Sequence, residues 1–142
     1  MPVMLLRLTK EFEFQMAHAL SGYDGKCRNI HGHNYRLQVT VEGQPIANPD
    51  DAKNGMVIDF GDIKRIVSQY VVEPFDHAFV VSEGSPFASV EGTKLAVVPF
   101  QPTSENLLLH FASLLAGRFP DGVRLHSLRL WETTTSCAEL IL

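Results

Sequence analysis

The sequence predicts a single α+β domain: an antiparallel four-stranded sheet with two helices on one face, in the order β-β-α-α-β-β. Three observations predict it. Apolar and polar side chains alternate with a two-residue period at both ends of the chain, and two amphipathic helical stripes lie between those ends. At 142 residues the chain can bury one sizeable core rather than two, so residues 1–142 are read as one domain.

The first strand lies within residues 5–18, where Phe12, Phe14, Met16 and His18 share one parity and Glu11, Glu13, Gln15 and Ala17 the other. A turn-rich stretch, Ser21 to Asn29, carries Lys26, Cys27 and Arg28. The second strand follows, with Tyr35, Leu37, Val39 and Val41 inward and Asn34, Arg36, Gln38, Thr40 and Glu42 outward. After a polar loop at 44–55, Asp59 is positioned to cap a helix whose stripe is Phe60, Ile63, Ile66, Val67 and Tyr70, ending before Pro74. A Gly/Ser/Pro-containing stretch from 83 to 102 has room for a short strand at 94–98. Thr103 or Ser104 caps the second helix, with Leu107, Leu108, Phe111, Leu114 and Leu115 facing the core. Strands at 123–131 and 136–142, joined by a tight turn at 133–135, complete the order.

The charge balance excludes some classes of function. Sixteen acidic residues against twelve basic ones give a net charge of −4 without a long single-sign block, which argues against nucleic-acid binding. The apolar start, Met1 to Leu6, is cut at Arg7 and falls far short of the roughly 20 residues of a membrane span, so a cytoplasmic protein without a membrane anchor is expected. Cys27 and Cys137 form no disulfide scaffold and no C-x-x-C pair.

Histidine placement carries the chemical signal. His31 and His33, one residue apart on a strand, point to the same face, and Gly32 between them is read as leaving room for a close backbone approach. His18 ends the partner strand on the inward parity, which nominates it as the third imidazole of a zinc site with an open fourth position. Cys27, four residues before His31 and flanked by Lys26 and Arg28, has three readings: an activated thiolate, a fourth ligand or an inert loop thiol. Asp76-His77 pairs a carboxylate with an imidazole, the usual means of fixing a tautomer, although a solvated turn has the same composition. Glu132 continues the inward parity of Leu128 and Leu130, so burial demands a partner for it, which a cationic or amidine-like ligand would supply. His110 and His126 are read as surface or structural, and Cys137 as a strand residue without function.

Six short motifs in order, F-x-M-A-H at 14–18, C-R-N-I-H-G-H at 27–33, V-I-D-F at 57–60, D-H at 76–77, P-T-S-E-N at 102–106 and W-E-T at 131–133, resemble the 6-pyruvoyltetrahydropterin synthase family. The likeness runs nearly end to end, and the element order is that of the family's tunnelling fold. The three-residue spacer between Cys27 and His31 resembles the bacterial 6-carboxytetrahydropterin branch that feeds queuosine and other deazapurines. A folate-pathway branch has glutamate in place of this cysteine, and Cys27 argues against it. The 44–55 and 83–101 segments are longer than in compact bacterial members and touch none of the motifs.

By this resemblance His18, His31 and His33 are zinc ligands, Cys27 is the general base, Asp76 with His77 is a proton relay, and Glu132 anchors the pterin. Lys26 and Arg28 are candidates for holding a triphosphate, with solvent-facing loop cations as the alternative. The implied substrate is the small molecule 7,8-dihydroneopterin triphosphate, and the implied products are 6-carboxy-5,6,7,8-tetrahydropterin, acetaldehyde and triphosphate. The implied assembly is a homohexamer, a dimer of trimers with pockets between subunits. The rival readings are the pyruvoyl-forming reaction on the same substrate and a non-enzymatic zinc or pterin-binding module.

Overall fold

A computed structural model describes residues 2–142. Two thirteen-residue strands, β1 (Leu6–His18) and β2 (His31–Gly43), pair antiparallel along their whole length, with Phe12 opposite Leu37, Phe14 opposite Tyr35 and His18 opposite His31. The alternation read from the sequence is largely the alternation of burial: Phe12, Phe14, Met16, Tyr35, Leu37, Val39 and Val41 are buried, while Glu11, Glu13, Gln15 and Asn34 are exposed; Glu42, expected outward, is buried beneath Arg7 and Arg124.

Helix α1 (Phe60–Val67) begins as expected, with the Asp59 carboxylate accepting from the Gly61 N–H. It does not end before Pro74. A π-helical turn, Ser68–Val72, carries it without a break into a last short segment, α2 (Glu73–Phe75), and its shifted hydrogen-bond register accommodates Pro74, which has no N–H to donate. Phe60, expected on the buried stripe, is 50% exposed, because it is the first helical residue and lies beyond the edge of the core.

The sheet is the main correction to the expected fold. Six strands, not four, lie in the order β4-β3-β1-β2-β5-β6, and the sheet is mixed. Strand β3 (Ala78–Ser82) runs parallel to the end of β1, with Met16 opposite Ala78 and His18 opposite Val80, and β4 (Leu95–Val98) runs parallel to β3. The strands thus interrupt the two helices, and the order β-β-α-α-β-β does not hold. The physical reason is burial on both faces: Ala78, Phe79, Val80 and Val81 are all buried, so this strand has no polar face and no two-residue signature.

Helix α3 (Ser104–Leu115) follows, capped by the Thr103 hydroxyl, which accepts from the Asn106 N–H. Its residues Leu107, Leu108, Phe111 and Leu115 are buried; Leu114 is half-buried. Strand β5 (Arg124–Trp131) pairs antiparallel with β2, and β6 (Cys137–Ile141) with β5. Opposite Thr40 and Val41 the register skips from Ser127 to Leu125, leaving His126 as the extra residue of a bulge. One continuous core joins the inward sheet face to α1 and α3, with Phe14 stacked on Tyr35 at 5.5 Å and edge-on to Phe111 at 6.2 Å.

Candidate active site

At the end of the β1–β2 ladder the inward parity changes from apolar rings to imidazoles. His18 is buried, and its ring centroid lies 4.4 Å from that of His31 and 5.2 Å from that of His33. Gly32 is not needed for this approach: a Cβ there would meet only the Met16 carbonyl at 3.7 Å, an ordinary contact.

The outer nitrogens fix how the rings present themselves. His18 Nδ1 lies 2.8 Å from the Pro102 carbonyl, and His31 Nδ1 lies 2.7 Å from the Asn29 carbonyl. A carbonyl only accepts, so each Nδ1 carries the proton and donates it, and each Nε2 presents a lone pair inward. The two Nε2 atoms approach to 2.8 Å. His33 Nε2 is buried and lies 3.0 Å from Glu132 Oε1 without hydrogen-bond alignment. Ligand atoms of His18, His31, His33 and Glu132 all lie within 4.8 Å of one another.

Within the chain Glu132 has two further neighbours of its own. Its Oε1 lies 3.4 Å from His18 Nε2, and its Oε2 accepts from the Ser104 hydroxyl at 3.1 Å. The carboxyl is held down at about 2, chiefly by the neighbouring His18 imidazole and against the opposing cost of burial, with His33 and Ser104 adding to the pull. Burial pushes His33 down and favours its neutral form. Converging lone pairs, a neutral third imidazole and an adjacent carboxylate fit a divalent cation of the zinc type.

Tyr35 lies beneath this cluster, its ring 5.6 Å from His33, and its buried hydroxyl has no hydrogen-bond partner. Burial pushes the hydroxyl well above the ordinary tyrosine range, and the negative charges of Glu132 and Cys27 push the same way. Cys27 is not among the grouped ligand atoms. A short 3-10 turn, Lys26–Arg28, presents it, anchored by the Leu20 N–H donating to the Cys27 carbonyl at 2.8 Å. A Cβ on Gly25, before this turn, would come within 2.5 Å of the Tyr23 ring, so a larger residue there would have to displace that exposed side chain. Lys26 and Arg28 are exposed, and among the described residues neither forms an ion pair.

Asp76 and His77 do not join the cage. They border a groove of about 570 Å³ on the other face of the sheet, together with Glu13, Gln15, Asn34 and Arg36. Asp76 bonds its own neighbour, Oδ1 to Nδ1 at 2.9 Å, and the same Oδ1 accepts from the Gln15 N–H at 3.1 Å. Within this pair His77 adopts φ +59°, the only positive φ of a non-glycine residue among those described.

The sequence reading missed Ser104, Tyr35 and the two orienting carbonyls. Ser104 lies inside the P-T-S-E-N motif and was read only as a helix cap. A backbone carbonyl leaves no mark in residue identity. His110 packs edge-on to Phe75 and tilted against Phe100, and burial lowers its pKa, while His126 Nδ1 lies 3.0 Å from the Ser127 hydroxyl, both in keeping with structural roles. Cys137 is exposed at the start of an edge strand.

Among known proteins, the family model described as 6-pyruvoyl tetrahydropterin synthase matches residues 7–141. A Haemophilus influenzae protein named 6-carboxy-5,6,7,8-tetrahydropterin synthase is 39% identical, covering 95% of this chain and 98% of its own. One of the same name from Rickettsia felis is 31% identical over 96% of this chain and 100% of its own. Among solved structures, an uncharacterized protein from Wolinella succinogenes superimposes with a TM-score of 0.74 at 23% identity, covering 98% of this chain and 99% of the other. The 6-pyruvoyl tetrahydropterin synthase of Caenorhabditis elegans does so at 0.70 and 25%, covering 97% and 96%. No helix among the described residues is long and apolar enough to cross a membrane.

Proposed function

Because the chain belongs to the 6-pyruvoyl tetrahydropterin synthase family, we propose that it is a zinc-dependent lyase converting 7,8-dihydroneopterin triphosphate and one water to 6-carboxy-5,6,7,8-tetrahydropterin, acetaldehyde and triphosphate. The observation that carries this reading is the convergence of the His18, His31 and His33 ring nitrogens, two of them oriented by backbone carbonyls. The name of the 39% identical relative supports the carboxy product over the pyruvoyl one.

His18, His31 and His33 would hold the metal. Once bound, zinc supplies Lewis-acid polarisation of the substrate's side chain and acidifies the adjoining C–H bonds. The Cys27 thiolate takes a proton from one of those carbons. Asp76 accepts the His77 Nδ1–H, so the other ring nitrogen, Nε2, is the one that takes and returns protons. With the imidazoles engaged by the ion, Glu132 is free to accept from the amino and ring N–H groups of the pterin, a two-point pairing like that with guanidinium. Lys26 and Arg28, beside Cys27 and without ion-pair partners, are suited to the triphosphate.

Relay and cage open on opposite faces of one sheet, so the relay of one chain would serve the cage of another. A homohexamer made of two trimers, with its pockets between subunits, meets that requirement. We further assign the enzyme to the cytoplasm and to the making of queuosine and related deazapurines.

The test incubates purified protein with 7,8-dihydroneopterin triphosphate and measures acetaldehyde and triphosphate. Equimolar release of the two is expected. Triphosphate without acetaldehyde would favour the pyruvoyl reaction, and no turnover by zinc-loaded protein would leave a binding module.

A further inference from the structure

We propose that Lys94 is a positioning residue for the Asp76–His77 relay, holding the connecting peptide in the strained conformation that lets the two side chains pair. The proposal rests on the relay reading of Asp76 and His77 given above.

A left-handed backbone is unfavourable for a non-glycine residue, and it persists only where the surroundings hold it. For His77 those surroundings are specific. The peptide unit joining Asp76 to His77 is held at both ends: its N–H donates to the Gln15 carbonyl at 2.6 Å, and its carbonyl accepts from Lys94 Nζ at 2.8 Å. The same ammonium donates to the Glu73 carbonyl at 2.6 Å, which closes the last helical turn before the relay. Rotation of this peptide plane is the motion by which His77 would relax to an ordinary φ, and both handles resist it.

Lys94 is itself fixed. Its carbonyl accepts from the Phe79 N–H at 2.8 Å, which registers it against β3 just after the relay. The residue therefore bridges the chain before the relay, through its side chain, and the chain after it, through its backbone. Without the ammonium, the Asp76 carbonyl loses its charged donor, His77 can leave the left-handed region, and the Oδ1–Nδ1 contact opens. Lys94 donates to two backbone carbonyls and hydrogen-bonds neither relay side chain, so its effect on turnover is through geometry.

The experiment compares Lys94→Met, which keeps the aliphatic stem, with Lys94→Arg, which keeps a charged donor, in the zinc-loaded enzyme. Turnover of dihydroneopterin triphosphate and the ring 15N resonances of His77 are read together. Lys94→Met should lower kcat by roughly ten- to a hundredfold, the scale of a displacement near 1 Å, with KM unchanged. It should also shift the His77 Nδ1 resonance while leaving that of His110 in place, and Lys94→Arg should restore most of both. In a His77→Ala background the Lys94→Met change should cost nothing more. A wild-type His77 resonance in Lys94→Met, or an equal loss of kcat in the His77→Ala background, overturns the proposal. If His77→Ala alone keeps full turnover, the relay reading fails, and the His77 resonance still decides whether Lys94 holds it. Lys94→Gln replaces the Met variant if that one does not fold.

Discussion

His18 and His31 face each other Nε2 to Nε2 across 2.8 Å, each with its Nδ1–H already donated to a backbone carbonyl. Two lone pairs at that distance repel unless something positive lies between or upon them. The rings are oriented before any ligand arrives, because Asn29 and Pro102 belong to the segments that flank β2 and α3. Pre-orientation of this kind reduces the ordering that metal binding would otherwise require.

The cage and Cys27 separate cleanly by mutation. Cys27→Ala should leave the zinc content at the wild-type level and lower kcat by about a hundredfold or more, the lower end of general-base effects. Zinc content by elemental analysis and turnover on the same preparation check this. Loss of zinc in the variant would make the thiol a ligand instead.

The strained histidine offers a second separation. His77→Gly removes the Cβ that disfavours φ +59° and should raise stability by about 1 kcal/mol while lowering kcat by about a hundredfold. Chemical denaturation of the two proteins measures the difference. A less stable variant would mean that the Asp76–His77 hydrogen bond outweighs the backbone strain.

Away from the site, Glu42 joins β1, β2 and β5: Arg7 Nε donates to Oε2 at 3.1 Å and Arg124 Nη2 to Oε1 at 2.7 Å. Hydrogen bonds from Arg124 and Arg7 hold this carboxyl below the usual glutamate range. Its folded pKa is depressed, so the stabilisation is fully present above the unfolded value of about 4.3 and is lost as pH falls through the folded one. Glu42→Gln should therefore melt below wild type at neutral pH, with the gap closing in acid. Thermal melts across that range check it, and a gap independent of pH would contradict it.

Some of this was legible in the residues and some was not, for physical reasons. Alternation from Phe12 to His18 and from His31 to Val41 marks two half-buried strands, and it puts three histidines on one face because strand parity is strict. Strand β3 is invisible to the same reasoning, since both its faces are buried. The π turn at Ser68–Val72 is equally hidden, as its residues are ordinary helix residues, and it lets Pro74 stand inside a helix that the sequence would end. Asp76 and His77 are adjacent in any reading, but the left-handed φ of His77 depends on Gln15 and Lys94, which are far from them in sequence. Glu132 was legible as a buried carboxylate in need of a partner; that the partners are His18 and Ser104 depends on how β5 ends against α3.

The most direct measurement is zinc per chain in the wild-type protein and in His31→Ala, after loading with zinc and removal of the excess by gel filtration. The account predicts one zinc per wild-type chain and almost none in the variant, with zinc raising the Tm of the wild type alone, because an ion that binds only the folded state stabilises it. An unchanged zinc content in His31→Ala would contradict the three-histidine cage and the mechanism built on it.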